Sequence, residues 1–494
     1  MEHSRLSRNS FSNFHLSSLH YYLAIIWLLS VVLLTDAAKI HKKHGPHNHS
    51  GRSLLNINLQ TNNPRQNFSS SNLCDPNVKQ YSGYIQTSDG ANMFFWFFES
   101  RNSPLSSPLT LYLNGGPGCS SMIGLFQEVG PCRSQSNGNS TYTNPYSWNQ
   151  VSNLLFVDQP IGAGFSYGTN YLTSTDQAAS NLYEFLQKWF AIFTEYSTLN
   201  FHIFGESYAG HYIPILANLI VNKTSILNIA CGLLPCQINI NLKSIGIGDG
   251  WIDPAIQYAS LMDYATNNSY NPTLVSSDVL TNMNGAYPTC KNLLSQCDST
   301  STNQDCSNAD DYCFDNVFLP FAENLNCSIY DVRASLYGQP EPPEDYMNYL
   351  NSSAVMKAIG AKTNYVECSE NAYMSFTNTA DLQVARSSLT QLSNVINGGI
   401  RTLLYFGDAD ANCNWIGGLN VAKSIPSKYQ SQFNSKTLQN FKVNGQTAGQ
   451  VQSSPYLSFV KILQAGHESI AVDIHALGKG LQNTSMVWSA QYLF

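Results

Sequence analysis

One serine in the sequence has the surroundings of a covalent nucleophile. Residues 205–210 read Gly-Glu-Ser-Tyr-Ala-Gly and match the pattern G-x-S-x-G, with Ser207 at its centre. An apolar segment precedes the pattern and helical spacing follows it, which is the context in which this motif forms a sharp strand-to-helix turn. The small glycines let the turn close, and the N–H groups that begin the helix point at the exposed hydroxyl. The pattern predicts nucleophilic catalysis by Ser207.

A serine nucleophile needs a general base, and the base needs a carboxylate that orients it. In enzymes built around this turn, the acid and then the histidine follow the serine along the chain. Asp408 and Asp410 both follow a late predicted strand, and spacing alone does not choose between them. His467, after the last predicted strand, is the candidate base. We interpret His202 and His211 as structural, because they lie beside the serine and before the acid.

A glycine-rich loop, residues 113–121, is the second candidate element. It reads Leu-Asn-Gly-Gly-Pro-Gly-Cys-Ser-Ser and follows a predicted strand. Exposed backbone N–H groups at this place can stabilise the oxyanion formed when a serine attacks a carbonyl. This glycine loop lacks the Gly-Lys-Ser/Thr ending of a nucleotide-binding P-loop, so we discount phosphate binding.

The scaffold that carries these residues is predicted from alternating apolar segments. Strand patterns alternate with helical patterns from Cys74 onward, which is typical of an α/β fold with a mainly parallel sheet and helices on both faces. The predicted strands are 91–98, 109–113, 154–157, 201–204, 242–247, 401–406 and 456–463. The predicted helices are 176–193, with Asp176 as a candidate cap, and 208–221.

Four blocks of the sequence resemble the serine carboxypeptidases, a peptidase family with the α/β-hydrolase fold. They are the glycine loop, residues 158–167, the Ser207 turn and residues 407–415, in the family's order. The resemblance implies an α/β-hydrolase core with an inserted cap. It also implies a serine-type carboxypeptidase that removes C-terminal amino acids from peptides and proteins through an acyl-enzyme, favoured at acidic pH. No cofactor and no metal are expected.

The resemblance assigns the catalytic roles residue by residue. It selects Asp410 as the acid and identifies His467 as the base of Ser207. It places the oxyanion donors in the backbone N–H groups of Gly116 and Tyr208.

The resemblance also assigns recognition of the substrate's C-terminal carboxylate. The residues are Asn114, Gly115, Glu128 and Glu206. Two glutamates and a substrate carboxylate cannot all ionise side by side without strong repulsion. We therefore expect this site to hold protons and to bind substrate more weakly as the pH rises.

Three positions depart from the family pattern. Tyr112 stands where tryptophan is usual, and Asp249 replaces the asparagine of a Gly-Asn-Gly segment. After His467, the usual Met-Val-Pro reads Glu-Ser-Ile. The methionine position lines the family's pocket for the leaving residue, so Glu468 either favours a basic leaving residue or disturbs His467.

The domain organisation follows from changes in composition. The core is expected at 73–255 and 381–494, with a cap insertion at 256–380 in which five cysteines fall within 38 residues, with polar runs between them. Residues 1–38 resemble a signal peptide, with a charged start, an apolar run and small residues. The run is short for the ~20 residues of a membrane span, although an uncleaved anchor is an alternative. Residues 39–72 are interpreted as a disordered tail or a propeptide.

Twelve cysteines favour an oxidising compartment. The resemblance implies a bridge between Cys119 and Cys368 and a free thiol at Cys413. Cys231 and Cys236 are close enough in sequence for a local bridge.

N-x-S/T sequons support the same route. Those expected to carry glycans are Asn139, Asn222, Asn267, Asn326, Asn351 and Asn483. The predicted destination is the secretory pathway, ending in a lysosome or vacuole or outside the cell, with no membrane attachment after signal cleavage.

Composition excludes two broad classes. With 25 basic and 32 acidic residues, the net charge of −7 argues against nucleic-acid binding. A hydrophobic content of 43% excludes wholesale disorder. The predicted partners are peptides with a free C-terminal carboxylate, and a homodimer stays open. The alternatives are an acyltransferase on the same scaffold or a catalytically silent protective or binding protein.

Overall fold

The structure is a computed structural model that describes residues 64–230, 237–336, 344–377, 385–443 and 445–470. The predicted signal peptide lies outside the described residues, as do Cys231, Cys236 and the sequon at Asn483. Residues 39–63 of the predicted tail do so too, whereas residues 64–72 are described.

A ten-stranded sheet forms the centre of the described chain, in the order β1-β2-β6-β3-β7-β8-β9-β12-β11-β10. The six strands from β6 to β12 in this order pair in parallel. Two antiparallel strands complete each edge. The strands are β1 (Gln80–Gln86), β2 (Asn92–Phe98), β3 (Leu109–Leu113), β6 (Asn153–Val157), β7 (Phe201–Glu206), β8 (Leu242–Gly248), β9 (Arg401–Gly407), β10 (Gln439–Val443), β11 (Gln446–Ser453) and β12 (Leu457–Ile462). The short strands β4 (Cys132–Ser134) and β5 (Thr141–Thr143) form a separate pair.

The central strands form because their sequences are continuous apolar runs. Every residue of β3 and β6 is buried, as expected for a parallel sheet covered on both faces. All seven predicted strands are present, each within two residues of its predicted bounds. The prediction missed the edge strands β1, β10 and β11, whose polar residues give no continuous apolar run.

The two sheet faces carry different helices. In chain order the helices are α1 (Thr175–Ile192), α2 (Ala209–Ala230), α3 (Pro254–Asn267), α4 (Ser277–Thr300), α5 (Asn303–Cys313), α6 (Leu319–Glu323), α7 (Tyr346–Leu350), α8 (Ser353–Ile359), α9 (Glu370–Thr377), α10 (Leu389–Asn397), α11 (Trp415–Ser424) and α12 (Gln430–Asn434). One apolar cluster joins the sheet to α1, α2, α10 and α11. The cluster on the other face uses the short helices α7 and α8 and a buried π-helical turn, Gly124–Glu128.

The start of α1 corrects one expectation. Ser174, and not Asp176, caps this helix, since its hydroxyl accepts a hydrogen bond from the Gln177 backbone at 3.1 Å. The Asp176 side chain lies in the first turn, where a negative charge still favours the helix N-terminus.

A third apolar cluster lies in the region between β8 and β9. It is built from α3 to α6 and is tied by two disulfides, Cys290–Cys313 and Cys297–Cys306. Two further disulfides join Cys74 to Cys132 and Cys119 to Cys368. The limits of the cap insertion at 256 and 380 stay a prediction. Among the described helices, none has the length and apolarity that crossing a membrane requires.

Two glycine substitutions should change stability in opposite directions. In Gly205→Ala, at the end of β7, a Cβ would lie 2.1 Å from the Leu113 carbonyl oxygen, and the paired strand cannot move away without losing hydrogen bonds. Gly285 lies inside α4 with nothing within 4 Å of its Cβ position. We expect thermal denaturation to show a loss of ~2 kcal/mol or more for Gly205→Ala. Gly285→Ala should gain ~0.5–1 kcal/mol. Equal melting temperatures for the two variants would contradict this packing.

Candidate active site

Ser207 lies in a sharp turn between β7 and α2. Its φ of +60° is in the left-handed region, which is uncommon for a non-glycine residue. The turn is held from both sides, because the Ser207 N–H donates to the Gly248 oxygen and its carbonyl accepts from the Trp251 N–H, each at 3.0 Å. At Gly210 a Cβ would lie 2.3 Å from the Trp251 oxygen, so a side chain does not fit there. The structure therefore places Ser207 in the predicted strand-to-helix turn.

The glycine loop packs directly against this turn. A Cβ at Gly115 would lie 2.4 Å from the Tyr208 nitrogen and 2.9 Å from the Ser207 Cβ. Gly116, the next residue, has a φ of +107°, which favours glycine. These two requirements explain why the loop contains adjacent glycines, and they put the backbone of the loop beside Ser207.

His467 and Asp410 form a buried pair. The His467 Nδ1 lies 2.8 Å from the Asp410 Oδ2. Asp410 is fully buried and also accepts hydrogen bonds from the backbone N–H groups of Asn412 at 2.8 Å and Cys413 at 3.1 Å. The His467 N–H donates to the Tyr330 oxygen at 2.8 Å, which fixes the histidine backbone.

Asp408 has different partners. It accepts hydrogen bonds from the Tyr270 hydroxyl at 2.6 Å and the Gln464 N–H at 2.7 Å. Of the two candidates that spacing left open, the structure thus brings only Asp410 to the histidine.

His202 and His211 are buried and paired with serines elsewhere. Their Nδ1 atoms lie 2.6 Å from the Ser244 hydroxyl and 2.7 Å from the Ser388 hydroxyl. Burial lowers the pKa of each histidine to about 3, so both are neutral over the physiological range.

Asn114, Glu128 and Glu206 form a buried group that we call the carboxylate cluster. The Asn114 Nδ2 donates to the Glu128 Oε1 and the Glu206 Oε1, each at 3.0 Å. The Asn114 Oδ1 accepts from the Gly124 N–H at 2.9 Å, which fixes the amide orientation. The Tyr112 hydroxyl donates to the Glu128 Oε2. The tyrosine that departs from the family pattern is thus a direct partner of the cluster.

Burial and repulsion between carboxyl groups oppose the ionisation of Glu206 in this cluster and of the neighbouring Glu468. Burial, followed by the nearby Glu128 carboxyl, raises the pKa of Glu206 well above its ordinary value. Burial, again followed by Glu128, raises the pKa of Glu468 well above its ordinary value. Both side chains therefore hold protons in the acidic range.

Arg133 is a member of this neighbourhood that sequence reasoning missed. Its guanidinium donates to the Phe126 and Glu128 backbone oxygens, and burial lowers its pKa to about 10. Its charge acts on Glu468 and partly opposes the repulsion between the glutamates. A single arginine in a short polar stretch carries no sequence signal for this location.

Cys413 completes a group whose ligand atoms lie within 4.8 Å of one another, with Asp410 and His467. Burial, followed by the Asp410 charge, raises the pKa of the Cys413 thiol well above its ordinary value. A neutral thiol is a poor metal ligand, and the other two side chains are already hydrogen-bonded to each other. The group fits an acid–base pair better than a metal centre.

Comparison with known proteins extends these observations. A family model described as serine carboxypeptidase matches residues 71–474. Carboxypeptidase S1 of Penicillium janthinellum is 42% identical over 81% of this chain and 93% of that protein. Carboxypeptidase Y of Schizosaccharomyces pombe is 36% identical over 79% of this chain, and the match spans 39% of that relative. The crystal structure of Kex1(delta)p, a prohormone-processing carboxypeptidase from Saccharomyces cerevisiae, has a TM-score of 0.70 at 24% identity, covering 86% of this chain and 95% of that chain.

The structural match confirms the predicted α/β-hydrolase fold with its mainly parallel sheet. The family model covers most of the chain and includes the Ser207 turn, Asp410 and His467. The chain therefore belongs to the serine carboxypeptidase family.

Proposed function

We propose that the chain removes C-terminal amino acids from peptides with Ser207 as nucleophile, His467 as general base and Asp410 as the orienting acid. The observation that carries the proposal is the position of the carboxylate cluster. Glu206 directly precedes Ser207, and Asn114 directly precedes the glycines that contact the Ser207 turn. A group that recognises a terminal carboxylate thus lies one residue away from the nucleophile.

The proposed reaction uses this geometry in two stages. His467 accepts the Ser207 proton, Ser207 attacks the last peptide carbonyl, and the N–H groups of Gly116 and Tyr208 stabilise the oxyanion. His467 then protonates the leaving amino acid, and water hydrolyses the acyl-enzyme with the same base. Asp410 accepts from the His467 Nδ1 and so keeps Nε2 directed to the reaction.

Recognition of the terminal carboxylate depends on protons in the carboxylate cluster. A neutral Glu206 carboxyl can donate a hydrogen bond to the substrate carboxylate, whereas an ionised one repels it. The Asn114 amide and the Gly115 backbone supply the uncharged contacts in the proposal. Since this discrimination needs a free C-terminal carboxylate, we expect exopeptidase and not endopeptidase activity.

The proposed location is the secretory pathway, with a lysosome, a vacuole or the outside of the cell as the destination. The four disulfides among the described residues suit an oxidising compartment. Of the sequons expected to carry glycans, the five asparagines that the structure describes are all exposed and therefore accessible: Asn139, Asn222, Asn267, Asn326 and Asn351.

Replacement of the nucleophile is the first prediction about activity. We expect Ser207→Ala to lower the release of amino acids from blocked dipeptides at about pH 5 by at least ~10⁴-fold. The control is Ser197→Ala, which removes a half-buried hydroxyl that donates to the Thr194 backbone oxygen, outside the proposed site. Release that persists in Ser207→Ala would contradict the assignment. Wild type that reacts with a fluorophosphonate but releases no amino acid would favour acyl transfer.

The second prediction concerns the pH dependence of substrate binding. Because the pKa of Glu206 is raised, its proton is present in acid and is lost as the pH rises, so KM should increase between about pH 4.5 and 7.5. In Glu206→Gln the side chain cannot ionise, and we expect KM to depend less on pH. The measurement is KM for one blocked dipeptide across this range. A KM that is equally flat in wild type would overturn the role of Glu206.

The third prediction concerns the leaving residue. The Glu468 Oε2 is buried without a hydrogen-bond partner, and its charge acts on Glu206, so it lies near the proposed carboxylate site. We propose that Glu468 favours Lys or Arg as the leaving residue, since a cationic side chain would favour ionisation of the Glu468 carboxyl and pair with it. In Glu468→Gln the ratio of kcat/KM for Lys over Leu should fall by about tenfold. An equal loss for all leaving residues would show that Glu468 acts through His467 instead.

A further inference from the structure

Asp249 lies between the segment that carries Ser207 and the segment that carries Asp410. Its neighbour Gly248 accepts from the Ser207 N–H at 3.0 Å. On its other side, the Asp249 N–H donates to the Tyr405 oxygen at 2.8 Å, and its Oδ1 accepts from the Gly407 N–H at 2.8 Å. The loop after β8 is therefore hydrogen-bonded both to the Ser207 turn and to the end of β9, three residues before Asp410.

The Asp249 side chain is buried with half of its hydrogen-bonding capacity unused. The residue is fully buried, and its Oδ2 has no hydrogen-bond partner. The hydroxyl of Ser469, two residues after His467, is also buried and without a partner. This hydroxyl is close enough to Asp249 to lower the pKa of its carboxyl, although burial raises that pKa by more. A protonated Oδ2 could donate toward Ser469, whereas an ionised carboxylate would be a buried charge with only the Gly407 N–H and the Ser469 hydroxyl as donors.

The surroundings of Asp249 oppose its ionisation. The titratable groups whose charges act on it, or on which it acts, are all acids: Asp410, Glu128, Glu206, Tyr405 and Cys413. The base in this neighbourhood, His467, is already hydrogen-bonded to Asp410. Burial, followed by the Asp410 charge, raises the pKa of Asp249 well above its ordinary value.

The backbone conformation limits which residues fit here. Asp249 has a φ of +40°, in the left-handed region that aspartate and asparagine tolerate better than most residues. Asparagine, the residue in the family pattern, has the same shape as a neutral aspartic acid. The chain thus carries an ionisable group where an amide would satisfy the same contacts at every pH.

We propose that Asp249 is a pH-sensitive positioning residue, neutral in the active enzyme, whose ionisation at higher pH loosens the segments holding Ser207 and Asp410 and lowers Ser207 reactivity. The inference rests on the proposed catalytic roles of these residues and adds a pH dependence to their positioning. It differs from the pH effect at Glu206, which concerns binding of a terminal carboxylate.

The test measures the reactivity of Ser207 without a C-terminal carboxylate. A fluorophosphonate reacts with an activated serine and does not need the carboxylate cluster. Its second-order rate constant would be measured against pH for wild type, Asp249→Asn and Asp408→Asn. The last variant is a matched control, since it makes the same change near the end of β9 in a carboxyl bonded to Tyr270 and Gln464.

We expect the wild-type rate constant to decline on the alkaline side by at least about threefold, and Asp249→Asn to remove the decline. Asp408→Asn should keep the wild-type profile. Parallel profiles for wild type and Asp249→Asn, or removal of the decline by Asp408→Asn, would overturn the inference. Wild type that does not label at any pH would instead refute the proposed nucleophile, so the two failures are distinguishable.

Thermal denaturation provides a second readout that does not depend on activity. A folded-state pKa above the unfolded value stabilises the protein in acid, and this contribution is lost as the pH rises through the folded pKa. The melting temperature of Asp249→Asn relative to wild type should therefore increase with pH from about pH 4 upward. A difference that is constant with pH would show that Asp249 is not a protonated group, and would also overturn the inference.

Discussion

The crowding of buried carboxyl groups beside Ser207 is the constraint on which the rest of the site depends. An ionised carboxylate is stable inside a protein only where donors or opposite charges compensate for lost hydration. Asp410 has three such donors, from His467, Asn412 and Cys413. Glu206, Glu468 and Asp249 lack comparable compensation, and their pKa values are raised. The carboxyl ends of the parallel strands thus bring together several acids whose ionisation burial opposes.

Close approach of backbones makes this crowding possible. The glycine loop contacts the Ser207 turn at Gly115, and the turn itself contacts the loop after β8 at Gly210. These contacts bring the ends of three neighbouring parallel strands, β3, β7 and β8, to one point. The disulfide between Cys119 and Cys368 fixes the far side of the glycine loop. The site is accordingly formed jointly by the carboxyl ends of these central strands and not by any one loop.

The strands and helices near the site are the elements that the sequence predicts most accurately. The central strands and the helices α1 and α2 have strong apolar patterns, because they are buried against both the sheet and each other. The edge strands β1, β10 and β11 were missed, since their polar residues mask the alternation that a half-buried strand needs. The helices α4 and α5 lie in a region that sequence reasoning described only by its cysteines and polar composition.

The sequence by itself predicted Ser207 as the nucleophile, because Gly-x-Ser-x-Gly and the glycine loop encode local backbone geometry. Through its resemblance to the serine carboxypeptidases it also gave the family and the expected residues of the carboxylate cluster. Spacing did not separate Asp408 from Asp410, and the resemblance selected Asp410. Tertiary structure shows the contact with His467, since the two aspartates are two residues apart and packing gives them different partners. It also decided the protonation of Glu206, Glu468 and Asp249. Their charge depends on burial and on carboxyls that lie far apart in sequence, and no local pattern records that proximity.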